Sequence, residues 1–75
     1  TLTLGRGTDV DVQLHDTGVS RRHAEVRVVE GEVEVHDLGS TNGIRVNGQR
    51  VTAATLTEGD VVTLGASELV FRSGR

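Results

Sequence analysis

Seventy-five residues allow at most one domain, near the small end of what folds without disulfides or metals, so its core must be thin. The chain has no Cys, which removes a disulfide framework, a thiolate nucleophile and a cysteine zinc site, and within these residues neither a transmembrane helix nor a signal peptide is expected, because no apolar run is long enough and no basic start precedes a short apolar segment. A net charge of −3, from 8 Lys+Arg against 11 Asp+Glu, with Phe71 as the single aromatic, argues against a nucleic-acid surface, which needs a basic face and usually aromatic platforms.

Along the chain, Leu2 to Leu4 reads as a strand already in progress, so an upstream strand is expected to be missing. Gly5-Arg6-Gly7 follows as a turn, and Val10 to Leu14 reads as a second strand. After the polar stretch GVSRRH, residues 18 to 23, Ala24 to Val29 alternates, with Ala24, Val26 and Val28 on one face and Glu25 and Arg27 on the other. Glu30-Gly31 turns the chain, and Glu32 to His36 repeats the pattern with Val33 and Val35 inward and Glu32, Glu34 and His36 outward, completing an antiparallel hairpin. Ile44 to Val46 and Gln49 to Val51 flank Asn47-Gly48, a dipeptide suited to the positive φ angles of a two-residue hairpin turn. Val61 to Leu64 and Glu68 to Arg72, joined through Gly65, Ala66 and Ser67, make the last pair. About eight short strands at this spacing predict an all-β sandwich or barrel. No repeat, low-complexity segment or linker interrupts them, and 10 Gly with no Pro fit tight turns.

Polar residues that an alternating strand face does not explain gather in three connections: Gly5-Arg6-Gly7, Gly18 to His23, and Gly39-Ser40-Thr41-Asn42-Gly43. Such loops on a rigid sheet are where binding groups tend to sit. Guanidinium forks, short hydroxyl donors and glycine-freed backbone N–H groups suit an oxyanion with several acceptors. Asn42 both donates and accepts, which suits a peptide main chain.

Other chemistries fit less well. Ser20 with His23 offers a nucleophile and a base, but no GxSxG surrounds Ser20 and no orienting third group is marked. GSTNG lacks the GK[ST] ending of a phosphate-binding P-loop. His15-Asp16 and His36-Asp37 point to opposite faces if they lie in strands, so no metal site is expected. Arg22 reads as a solvated charge, and Asn47-Gly48 as turn chemistry. Ser20 and Asn42-Gly43 also have purely local readings, as a hydroxyl bonded to nearby backbone and as a positive-φ turn.

The ordered set Gly5-Arg6, Ser20-Arg21-Arg22-His23, Ser40-Thr41-Asn42-Gly43, Val46-Asn47-Gly48, Gly59-Asp60 and Leu64-Gly65 resembles the forkhead-associated (FHA) domain family, from Gly5 nearly to the end of the chain. VSRRHAE and DLGSTNG are closest to the bacterial, actinobacterial-like members. The resemblance implies a β-sandwich of two antiparallel sheets, about eleven strands in full members, whose loops at one end bind phosphothreonine peptides. It implies no catalysis and no cofactor. By the same resemblance Arg6 contacts the phosphate, Ser20 donates its hydroxyl to it, Arg21 adds a second positive contact, Thr41 a further hydroxyl, and Asn42 holds the peptide main chain. Gly5, His23 and Gly43 support the site structurally. Family members carry a strand or more ahead of the Gly-Arg pair, so the chain is expected either to be trimmed from a longer one or to tolerate the absence of its first strand or two.

The expected function is phosphothreonine-dependent protein–protein interaction in Ser/Thr kinase signalling. The expected partner is a phosphorylated protein, or a phosphorylated segment of the same, longer multidomain polypeptide. Neither nucleic acid nor membrane insertion is expected, and the setting is expected to be cytoplasmic. Phosphothreonine carries a charge of about −1.5 to −2, and each hydrogen bond to a charged donor contributes about 1.5 to 3 kcal/mol, so two Arg and two hydroxyls suffice within an acidic domain. The competing expectation is a phospho-independent scaffold or intramolecular docking domain with the same fold.

Overall fold

The strongest alternating segments form the centre of the larger of two sheets in the computed structural model, which describes residues 1–73. Strands β3 (Ala24–Val29) and β4 (Glu32–Asp37) pair antiparallel across a hairpin whose turn residues, Glu30 and Gly31, take φ of 52° and 80°. On one side β1 (Leu2–Gly5) joins β3 antiparallel, with β2 (Val12–Gln13) parallel beyond it; on the other β7 (Ala53–Leu56) pairs with β4. The second sheet is built from β5 (Ile44–Val46), β6 (Gln49–Val51), β8 (Val61–Leu64) and β9 (Ser67–Val70) in the order β6-β5-β8-β9. The five-stranded sheet runs β2-β1-β3-β4-β7.

The predicted bounds hold for β3, β5, β6 and β8, while β4 extends one residue further, to Asp37. Four expectations need correction. The segment 10–14 forms only the two-residue strand Val12–Gln13, because Asp11 uses its backbone N–H and its carboxylate to bind Thr3 of β1. The last strand is Ser67–Val70 instead of Glu68–Arg72. Strand β7 was not expected at all, so the described residues hold nine strands instead of the eight read from alternation. Val28, expected inward, is 71 % exposed. Val28 lies two residues before the Glu30-Gly31 turn, and although its register partner Val33 packs partly against the core, Val28 does not.

The core between the sheets is small, as the length requires. Leu4, Ala24, Val35 and Leu56 contribute from one sheet, Ile44, Val62 and Leu64 from the other, and Val19 from the β2–β3 loop. Ile44 and Leu64 face one another across β5 and β8 with no exposed surface. Full burial of such a side chain stabilises by roughly 1.5 to 3 kcal/mol. Val19 matters for position as well, because it anchors the residue just before Ser20 in the core.

Candidate functional site

Three loops meet because their polar groups bond to one another. The N–H of Arg6, after β1, donates to the Ser20 carbonyl at 2.9 Å, and the N–H of Gly7 donates to the Arg21 carbonyl at 3.1 Å. From the β4–β5 loop, Thr41 donates its N–H to Ser20 Oγ at 3.1 Å, and Asn42 donates from Nδ2 to the Gly18 carbonyl at 2.8 Å. Ser20 thus joins the Gly-Arg turn through its carbonyl and the Ser-Thr-Asn-Gly turn through its hydroxyl. All five residues expected to touch a ligand, Arg6, Ser20, Arg21, Thr41 and Asn42, lie on these three joined loops.

His23 explains why Ser20 holds its place. Its ring is fully buried, with Nδ1 accepting from the Ser20 backbone N–H at 3.0 Å and Nε2 donating to the Gly43 carbonyl at 2.7 Å. Both ring nitrogens are therefore occupied by backbone, one in each loop. Neither faces the Ser20 hydroxyl, which removes the geometric basis for a nucleophile and base pair.

The two glycines singled out with His23 have steric reasons. A Cβ on buried Gly5 would lie 2.0 Å from the Arg21 carbonyl oxygen, so only glycine lets β1 approach the Arg21 backbone this closely. Gly43 adopts φ 75°, and a Cβ there would lie 2.9 Å from Nε and Nη2 of Arg50. Glycine is favoured there by conformation, since the end of the Arg50 side chain can shift.

Two clefts flank the Ser20 bridge. One, of about 540 Å³, is lined by Arg6, Gly7, Thr8, Asp9, Arg21 and Arg22. The Arg6 guanidinium is steadied by its Nε donating to the Val19 carbonyl at 3.0 Å, and among the described residues neither Arg6 nor Arg21 forms an ion pair. Arg22 instead pairs with Asp9 at 3.4 Å, so that charge is already balanced. The other cleft, of about 530 Å³, holds Thr41, Asn42 and Gly43 on one wall and Thr17, Gly18, Gly65 and Ala66 on the other. Among the described residues Asn42 Oδ1 has no partner, which leaves it able to accept a ligand N–H.

Sequence reasoning missed the carboxylates that shape these loops. Asp16 accepts from the Gly18 N–H, the Ala66 N–H and the Ser67 hydroxyl, each at 2.8 Å, and so ties the loop ahead of Ser20 to the β8–β9 turn. The Gly18 N–H, with Ser67 and Ala66, holds its carboxyl below the usual carboxylate value. Asp37 takes the Ser40 hydroxyl and N–H, and Ser40 Oγ then receives the Gly43 N–H at 2.9 Å. The Asp-x-Gly and Asp-x-x-Ser spacings are the available signals, both typical of side chains that bond nearby backbone. The partner of Asp16 fifty residues away has no local signature. No group of three or more potential metal-ligating side chains occurs among the described residues.

Comparison with known proteins gives concordant results. The family model described as "FHA domain" matches residues 2–65. The glycogen accumulation regulator GarA of Mycolicibacterium smegmatis is 49% identical over 74 residues, which cover 99% of this chain and 47% of that protein. The oxoglutarate dehydrogenase inhibitor of Corynebacterium glutamicum is 47% identical over 74 residues, 99% of this chain and 52% of its own length. The chain thus spans about half the length of these curated relatives. A structure solved in a study of phosphothreonine-dependent FHA domain interactions superposes with a TM-score of 0.94 at 44% identity, covering 99% of this chain and 77% of its own.

Proposed function

The chain belongs to the FHA domain family, and from that premise we propose that residues 1–75 act as one phosphothreonine-dependent interaction module that recognises phosphorylated proteins in Ser/Thr kinase signalling. Arg6 and Arg21 supply the charge for the phosphate, Ser20 and Thr41 supply hydroxyls, and Asn42 engages the peptide main chain. The observation that carries this reading is the bonded convergence of three loops on Ser20, with two guanidiniums beside it that lack an ion-pair partner among the described residues. A phosphate entering there gains charge-assisted hydrogen bonds without displacing an existing ion pair.

The relatives named above are a regulator and an inhibitor, in keeping with a binding protein that acts through a partner and not through turnover. No helix among the described residues is long and apolar enough to cross a membrane. A cytoplasmic setting, where kinases generate phosphothreonine, goes with this reading, as does a partner segment carried by the same polypeptide.

The test is a titration with a peptide library fixed at phosphothreonine, beside phosphoserine and unphosphorylated versions. Binding confined to the phosphothreonine set is the expected result. Equal affinity for phosphorylated and unphosphorylated peptides would replace this reading with the phospho-independent scaffold.

A further inference from the structure

The cleft on the Asn42 side continues past the loops onto the outer face of the β5–β6 hairpin, where the lining includes Arg45, Arg50 and Thr63. Arg45 and Arg50 are register partners, directly opposite each other on adjacent strands. Side chains so placed have Cβ atoms about 4.5 to 5.5 Å apart, and like charges there repel. Neither arginine has an ion-pair partner among the described residues, and both are exposed. Thr63, which follows Arg45 in the same cross-strand row, contributes a hydroxyl where a carboxylate would have neutralised the pair. Glu68 comes one strand later, opposite Thr63, about 10 Å from Arg45 at ordinary strand spacing.

The Arg50 guanidinium lies over Gly43, the residue whose carbonyl receives the His23 ring, which places its charge next to Asn42 in the chain. Asp16 is the one carboxylate lining this cleft, and its oxygens are engaged by Gly18, Ala66 and Ser67.

Resting on the phosphothreonine reading above, we propose that Arg45 and Arg50 form a second anion subsite, which selects ligands bearing another acidic group, a carboxylate or a second phosphate, near the phosphothreonine. A planar guanidinium from each strand can grip one oxyanion between them, which turns a repulsive pair into a favourable triad. Arg45 is three positions after Asn42, at most about 10 Å along the chain, so the second anion belongs within about four residues of the phosphothreonine. Selection by charge at this distance needs no change in the loops that hold the phosphate.

The experiment measures anisotropy with three sets of synthetic peptides sharing one phosphothreonine. One set has neutral flanks, one has a single Glu placed in turn at each position up to four residues on either side, and one has a second phosphothreonine at those positions. The wild-type chain is expected to favour at least one anionic placement over neutral flanks by about tenfold, and the Glu and diphosphorylated sets distinguish a carboxylate from a phosphate. In the R45S/R50S variant, shown to be folded by its thermal transition, the ratio of anionic to neutral affinity is expected to fall to near one. Equal wild-type affinity for all three sets, or a preference that survives in R45S/R50S, overturns the subsite while leaving the phosphothreonine reading intact. Absence of wild-type binding to any phosphorylated set overturns both.

Discussion

Arg6 and His23 both serve the loop that carries Ser20 but do different work, and substitution separates them. Arg6 is exposed, and its only side-chain bond among the described residues is to the Val19 carbonyl, so Arg6→Ala should cost little stability. It should weaken phosphopeptide binding by about 10- to 100-fold, as expected for losing a charge-assisted bond of about 1.5 to 3 kcal/mol. Calorimetric titration measures this, and unchanged affinity would remove Arg6 from the site. His23→Ala acts on the fold first. It leaves the Ser20 N–H and the Gly43 carbonyl without their partner in a buried setting, at about 1 to 3 kcal/mol each, beyond the cavity it opens. A denaturant midpoint no lower than the wild type's would contradict the role of His23 as the strut between the two loops.

Loops here are positioned by what the strands bring close, and β1 is the sharpest instance. Its last residue, Gly5, lies against the Arg21 backbone, and the displaced atom in Gly5→Ala would be a carbonyl oxygen that cannot swing aside. That substitution should break the Gly7 to Arg21 bond, move Arg6 and Arg21 apart, and so lower both stability and phosphopeptide affinity. Gly43→Ala meets a guanidinium instead of backbone, but its φ of 75° adds about 1 to 2 kcal/mol of left-handed strain. Loss of stability in both variants, read from thermal unfolding, is the expected outcome. A Gly5→Ala chain with wild-type stability and affinity would mean the two backbones do not need this approach.

For the molecule as a whole, acid should be destabilising through carboxylates that bind backbone. Asp16, Glu58 and Asp60 each have a lowered pKa, chiefly from the N–H groups of Gly18, Ser73 and Thr57 respectively. A carboxyl that titrates lower when folded contributes stability fully present above its unfolded pKa, near 3.9 to 4.3, and lost as pH falls through the folded value. Denaturation midpoints should therefore hold steady near neutrality and drop below about pH 4, and a midpoint that rises on acidification would contradict this.

Much of this molecule was legible because its longest signals are local. Alternation set β3 and most of β4, Asn47-Gly48 set the β5–β6 turn, and the ordered loop motifs pointed to one end of the sandwich. What was hidden depends on distant partners. Ala53–Leu56 has two alanines and little β-branched character, and becomes a strand by pairing with β4. Val28 carries the inward pattern yet is exposed near the end of the β3–β4 hairpin. Asp16 reaches Ala66 and Ser67, and the Arg45–Arg50 opposition follows from register, which a reading of the hairpin for its turn alone does not bring out. The net charge of −3 likewise conceals two clefts lined by arginine, because charges more than about 8 to 10 Å away are screened at physiological salt.

The central claim, that three loops joined at Ser20 form one phosphothreonine site, is tested most directly by mapping backbone amide shifts of labelled protein during titration with a phosphothreonine peptide. The largest shifts are expected at Arg6, Ser20, Arg21, Thr41 and Asn42, and they should vanish with the unphosphorylated peptide. Shifts confined to a sheet face, or the same pattern without the phosphate, would contradict it.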